Sequence, residues 1–158
     1  MSVESALAPA VVPHDQVRVL RAFGEEIRIH LSGKETGGSL SQWEIVTPPG
    51  GGPPPHYHTR EDEAFWVLEG RVAFLVDGAW QEVGPGAGAY LPRNSVHTFK
   101  NVGETPSRMM ATSTPSGFED FFATAAEEFA KPEGPNIPKI MKIAAEHGIH
   151  FVEPSPAE

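Results

Sequence analysis

A chain of 158 residues corresponds to one domain with room for a single hydrophobic core. Its 12 Lys and Arg against 21 Asp and Glu leave a net charge of −9, which argues against nucleic acid or an anionic membrane as the main partner. The lack of cysteine removes disulfides, thiolate zinc sites, iron–sulfur clusters and cysteine nucleophiles together.

Residues 1–16 are rich in Ala and Pro, lack periodicity and read as a loose N-terminal arm. No Lys or Arg precedes Arg18, so this stretch does not read as a secretory leader. The longest apolar runs, Ala64–Leu68 and Val72–Val76, are five residues each, far short of a membrane span. The expectation is a soluble, cytoplasmic protein.

From residue 17 to residue 114, strand-length segments alternate with turn signals. They fall at Val17–Leu20, Ile27–Leu31, Ser39–Thr47, Ala64–Glu69, Arg71–Val76, Trp80–Val83, Gly88–Leu91, Val96–Lys100 and Arg108–Ser113. Glu69-Gly70 and Asp77-Gly78 carry the signature of two-residue hairpins. Strands at this spacing without intervening helices predict an antiparallel sandwich or barrel.

The character changes over 115–158, which reads as a helical extension packed on the barrel. Ser116 and Glu119 resemble a capping box, and Phe118, Phe121, Phe122, Ala125 and Phe129 follow helical spacing. That stripe reads as a packing face rather than a cofactor surface. A second short helix is expected over 138–147, with Ile137, Ile140, Met141 and Ala144 on one face and Gly148 as its cap. The fold class is therefore all-β dominated, with two short C-terminal helices outside the barrel. Gly33-Lys34 and the Gly84–Gly88 turn lack the context of a phosphate loop. His14, His30, His147 and His150 read as solvated side chains.

The stretch from Gly50 to Gly70 is different. His56 and His58 are two apart, so an extended strand projects both imidazoles to one face. Glu63 shares parity with Phe65 and Val67, which sets one carboxylate at the edge of an apolar interior. His97 opens a later strand, with Phe99 on its side. A His pair at this spacing can be a plain surface feature. Three imidazoles and one carboxylate together suit Fe, Mn, Ni, Cu, Co or Zn as a divalent ion. On an octahedral metal they leave two positions for water, O2 or substrate.

The spacing around these residues matches two known motifs. The first is Gly50, five residues, His56-x-His58, four residues, Glu63, six residues, Gly70. The second is Gly86, five residues, Pro92-x-Asn94, two residues, His97, three residues, Asn101, with 15 residues between the two motifs. Only Asn94 departs, standing where the pattern has Gly; Asn tolerates the left-handed conformation that such a turn needs. Over roughly residues 43–113 the chain resembles the small single-domain cupins. The resemblance implies a jelly-roll barrel (a double-stranded β-helix) spanning 17–114, with a metal inside held by His56, His58, Glu63 and His97. Asp62 also falls within the permitted spacing, but the step to Gly70 and the parity of Phe65 favour Glu63.

One fold hosts many chemistries, so the family does not name the reaction. PPPHYHTREDEAFWVLEG, then LPRNSVHTFKN and the Pro115–Glu119 helix start, looks like single-barrel proteins described as quercetinase-like. That resemblance implies a metal-dependent dioxygenase acting on a small aromatic or enol compound with O2, with Glu63 as catalytic base and ligand. Trp43, Phe65, Val67, Tyr90 and Phe99 are the pocket candidates, although core packing explains most of them equally well. The alternative is a non-catalytic cupin that binds a metal and a small ligand; a sugar-phosphate isomerase or epimerase ranks lower because few cations flank the motifs. Small cupins commonly pair through sheet edges, so a homodimer is expected.

Overall fold

The computed structural model describes residues 7–152. After a single helical turn at His14–Gln16, the chain forms β1 (Arg18–Ala22), β2 (Glu25–Leu31), a one-turn helix α1 (Gly33–Thr36) and β3 (Ser41–Thr47). There follow β4 (His56–His58), β5 (Asp62–Glu69), β6 (Val72–Val76), β7 (Ala79–Val83), β8 (Gly88–Leu91), β9 (His97–Asn101) and β10 (Ser107–Thr114). Helices α2 (Phe118–Phe129) and α3 (Ile137–Glu146) and the short β11 (Ile149–Phe151) complete it. Six strands in the order β1-β2-β3-β10-β5-β8 form one sheet, and β11-β4-β9-β6-β7 form the other. Every pairing is antiparallel.

Strict two-residue alternation builds the interior. On β10, Ser107, Met109, Ala111 and Ser113 are buried; on β5, Glu63, Phe65 and Val67 are buried while Ala64 and Trp66 face out. β3 departs from the rule at Glu44, which is buried on the outer face because Arg28 and Arg108 cover it at 2.8 and 3.2 Å. Phe118 and Phe122 of α2 close over Trp43 with ring centroids 5.3 and 5.8 Å apart. Each such aromatic burial stabilises the fold by roughly 1.5–3 kcal/mol.

Several expectations need correction. Asp77-Gly78 is a hairpin: both residues have positive φ (49° and 75°) and Val76 pairs with Ala79. Glu69-Gly70 is not, because β5 and β6 lie in different sheets and the turn carries the chain across the barrel. Ser116 does not cap α2. Gly117 occupies that position, and the Glu119 carboxylate accepts from the N–H groups of both Gly117 and Gly33, each at 2.9 Å, tying α2 to α1. In α3 only Ile140 and Ala144 are buried, whereas Ile137 and Met141 are exposed. His147 and His150 are half-buried rather than solvated: His147 Nδ1 donates to the Ile143 carbonyl, and His150 stacks on Tyr57. α1 and β11 carry no signal that the sequence reading used. Among the described residues no helix is long and apolar enough to cross a membrane.

Candidate metal centre

Three strands meet where the two sheets face each other. β4 supplies His56 and His58 on one face, β9 sets His97 directly opposite His56, and β5 brings in Glu63. All four side chains are buried, and one donor atom from each lies within 4.8 Å of the others. Glu63 Oε2 is 3.0 Å from His97 Nε2 and 3.5 Å from His58 Nε2.

Hydrogen bonds on the outer side of each ring fix the tautomers. His56 Nδ1 donates to the Pro54 carbonyl at 2.9 Å, His97 Nδ1 to the Ser95 carbonyl at 2.9 Å, and His58 Nδ1 to the Glu61 carboxylate at 3.1 Å. With Nδ1 engaged on the outer side of each ring, Nε2 is the nitrogen turned toward the other donors. His58 Nε2 is buried and has no hydrogen-bond partner. Nitrogens turned toward one another and toward a carboxylate need positive charge between them, supplied by a proton, as in the 3.0 Å His97 Nε2–Glu63 hydrogen bond, or by a metal ion. The donor set therefore fits a divalent transition metal, with carbonyl and carboxylate partners orienting its imidazoles.

The electrostatics differ from ring to ring. Burial, with the neighbouring His97 and His58, pushes His56 down to about 3, so its imidazole stays neutral. Burial also works against a charged His58, but the Glu63 and Glu61 carboxylates outweigh it and hold its pKa above the ordinary value. Burial disfavours an ionised Glu63 as well; His58 first, then His97 and His56, outweigh it and hold its pKa low. Asp62, the other carboxylate within motif spacing, points away from the cluster, and Arg93 binds it through its backbone N–H (2.9 Å) and guanidinium (3.1 Å).

The cluster opens into a narrow cavity lined mainly by aromatic rings. Trp43, Phe65 and Phe99 line it, with Phe118, Phe121 and Phe122 of α2 as a roof. Val67 is buried but does not reach the cavity. Tyr90 is corrected: it is 66% exposed, because the register pairs it with outward-facing Ala64, while its neighbours Ala89 and Leu91 pair with Phe65 and Glu63. The sequence reading missed three contributors. Glu61 stands three residues after His58, Glu25 shares parity with Ile27 and Ile29, and the Phe stripe of α2 covers the cavity as well as packing. Parity was the available signal for Glu25.

A two-sheet β-barrel encloses three imidazoles and a carboxylate that could together hold a metal ion. Residues 43–113 match the family described as "Cupin domain", and this part of the barrel carries the cupin pattern. Over 102 residues it is 28% identical to quercetin 2,3-dioxygenase of Bacillus subtilis, covering 65% of this chain but only 30% of that enzyme. It is 26% identical over 110 residues to polyketide synthase CurC of Streptomyces cyaneus, covering 69% of this chain and 71% of the relative. Among solved structures, KdgF from Halomonas superposes with a TM-score of 0.63 at 17% identity, covering 72% of this chain and 99% of the other. That likeness concerns the fold alone.

Proposed function

We propose that this protein is a metal-dependent dioxygenase acting on a small aromatic or enol compound. The observation that carries the reading is the cluster of His56, His58, Glu63 and His97, three of which (His56, Glu63 and His97) line a cavity walled by aromatic rings. No Lys or Arg lines that cavity among the described residues, which disfavours a phosphorylated sugar. The Bacillus relative named for quercetin supports an enol substrate.

A divalent transition metal at His56, His58, Glu63 and His97 would supply Lewis acidity and one-electron chemistry toward dioxygen. The protein groups do the rest. The aromatic walls hold a flat substrate and exclude water. Glu63, ionised in its buried setting, accepts the enol proton as the substrate oxygen becomes an enolate. In a dioxygenation both atoms of O2 enter the product, so no external reductant is needed.

Elemental analysis of protein purified without added metal, combined with oxygen uptake against flavonols, catechols and 1,3-diketones, tests the proposal. The expected result is about one metal per chain and metal-dependent uptake with at least one class. Full occupancy with no uptake on any of them would leave a non-catalytic metal- and ligand-binding module.

A further inference from the structure

The metal cluster is not the cavity's only polar feature. Glu25 opens β2, shares the inward face with Ile27 and Ile29, and lines the same cavity while only 7% exposed. Thr47 Oγ1, itself fully buried, donates a 2.6 Å hydrogen bond to Glu25 Oε2. No ion pair joins Glu25 to a described residue, so a buried carboxyl rests on one neutral partner. Burial pushes its pKa up to about 7, and the bond from Thr47 offsets only part of that. Burial without compensation is unfavourable for the fold and marks a group with another use.

The register locates it. Glu63 stands opposite Ser113 on β10, and Ser113 opposite Ser41 on β3. Glu25 reaches β3 at Thr47, six residues further along. Six residues of strand span roughly 20 Å, shortened by the side chains that reach in from each end. Trp43 and Ile45 lie between on the inward face. Beside Glu25, Phe23 sits at a φ of 56°, a conformation rare for a bulky side chain, with its ring 6.1 Å from Phe121 and 4.9 Å from Phe129. The cavity therefore has polar groups at both ends and aromatic walls between them.

We infer that Glu25 and Thr47 form a second polar pole, which hydrogen-bonds a phenolic hydroxyl at the far end of an elongated aromatic ligand whose near end lies at the His/Glu cluster. This rests on the aromatic-enol reading for the class of ligand, and on the geometry of Glu25 for the far contact. As a carboxylate Glu25 accepts the phenol O–H. A hydrogen-bonding site of this kind discriminates strongly against an analogue that lacks the hydroxyl, because its own polar group is then left unpaired.

Calorimetric titration of the metal-loaded protein under anaerobic conditions tests it, with quercetin and 3-hydroxyflavone as probes. Both carry the same enol, and only quercetin carries hydroxyls at the far end. Wild type should prefer quercetin by tenfold or more. Glu25→Leu should erase that preference while leaving 3-hydroxyflavone affinity within about twofold, and Glu25→Gln should retain most of it. A preference unchanged in Glu25→Leu, or one absent from wild type, overturns the pole. So does failure of both flavonols to bind wild type, since the ligand class is part of the inference. If Glu25→Leu does not fold, Glu25→Ala and Thr47→Val must still lower the quercetin preference without shifting 3-hydroxyflavone; no shift in either overturns it. Tight binding of both probes with no oxygen consumed in air would remove the dioxygenase reading and leave the pole standing.

Discussion

Glu61 Oε2 accepts a 3.1 Å hydrogen bond from His58 Nδ1, with both side chains almost fully buried. A carboxylate behind a ligating imidazole fixes the ring's tautomer and raises its basicity. Glu61→Gln keeps the size of the side chain but removes the charge. Metal affinity should fall by about 10–100-fold, read by competition with a chelator, while the fold is retained.

Removing a ligand outright should act differently. His58→Ala or His97→Ala should abolish bound metal in elemental analysis and lower the Tm by only a few degrees, because apolar burial holds the two sheets together. Unchanged metal content in both variants would show that the ion, if any, binds elsewhere.

The raised pKa of Glu25, about 7 against an ordinary 4.5, makes a prediction about stability and pH. Between these two values the folded state keeps a proton that the unfolded chain has lost. Stability therefore falls as pH rises through that window, by about 3 kcal/mol once pH exceeds 7. Glu25→Gln removes this contribution. Urea unfolding at pH 5 and pH 8 should show the variant gaining on wild type by a few kcal/mol at the higher pH. A difference that does not change with pH would mean that Glu25 ionises normally.

Phe118 touches both halves of the site, with its ring 4.8 Å from His58 and 5.3 Å from Trp43. Phe118→Ala should destabilise the protein by about 3–5 kcal/mol in denaturant titration, the range for a buried Phe. Metal content should remain, since Phe118 offers no donor atom. Loss of the metal with an intact fold would show that α2 does more than roof the cavity.

The legible parts of this molecule are those whose physics is local. Period-two alternation marks the buried faces of β5 and β10, and motif spacing brings His56, His58, Glu63 and His97 together before any coordinates. What stayed hidden depends on partners distant in the chain. Turn residues report a backbone conformation, not what the next strand pairs with, so Glu69-Gly70 looked like a hairpin although it crosses between sheets. Tyr90 and Leu91 face opposite sides as strand neighbours, and the register that sets Leu91 against Glu63 decides that Leu91 faces in. The stripe on α2 names the buried face of a helix but not that it covers a cavity. Three-residue β11 leaves too short a pattern to read, and its place beside β4 comes from the tertiary fold.

Glu63 carries the most specific chemical claim. Its Oε2 lies within 3.5 Å of two imidazole nitrogens, and neighbouring imidazoles keep it ionised despite burial. Ligand and base are separable roles, because Gln keeps an oxygen donor of the same reach but has no useful basicity. Glu63→Gln should retain much of the metal while turnover falls by about 10²–10⁴-fold, the usual contribution of a positioned general base. The pH profile separates the roles further: if Glu63 takes the enol proton, the acidic limb of kcat/KM seen in wild type should vanish from the residual activity of the variant. A variant that keeps both its metal and its full rate would leave Glu63 as a ligand alone, and proton removal would then have to fall to another group in the cavity.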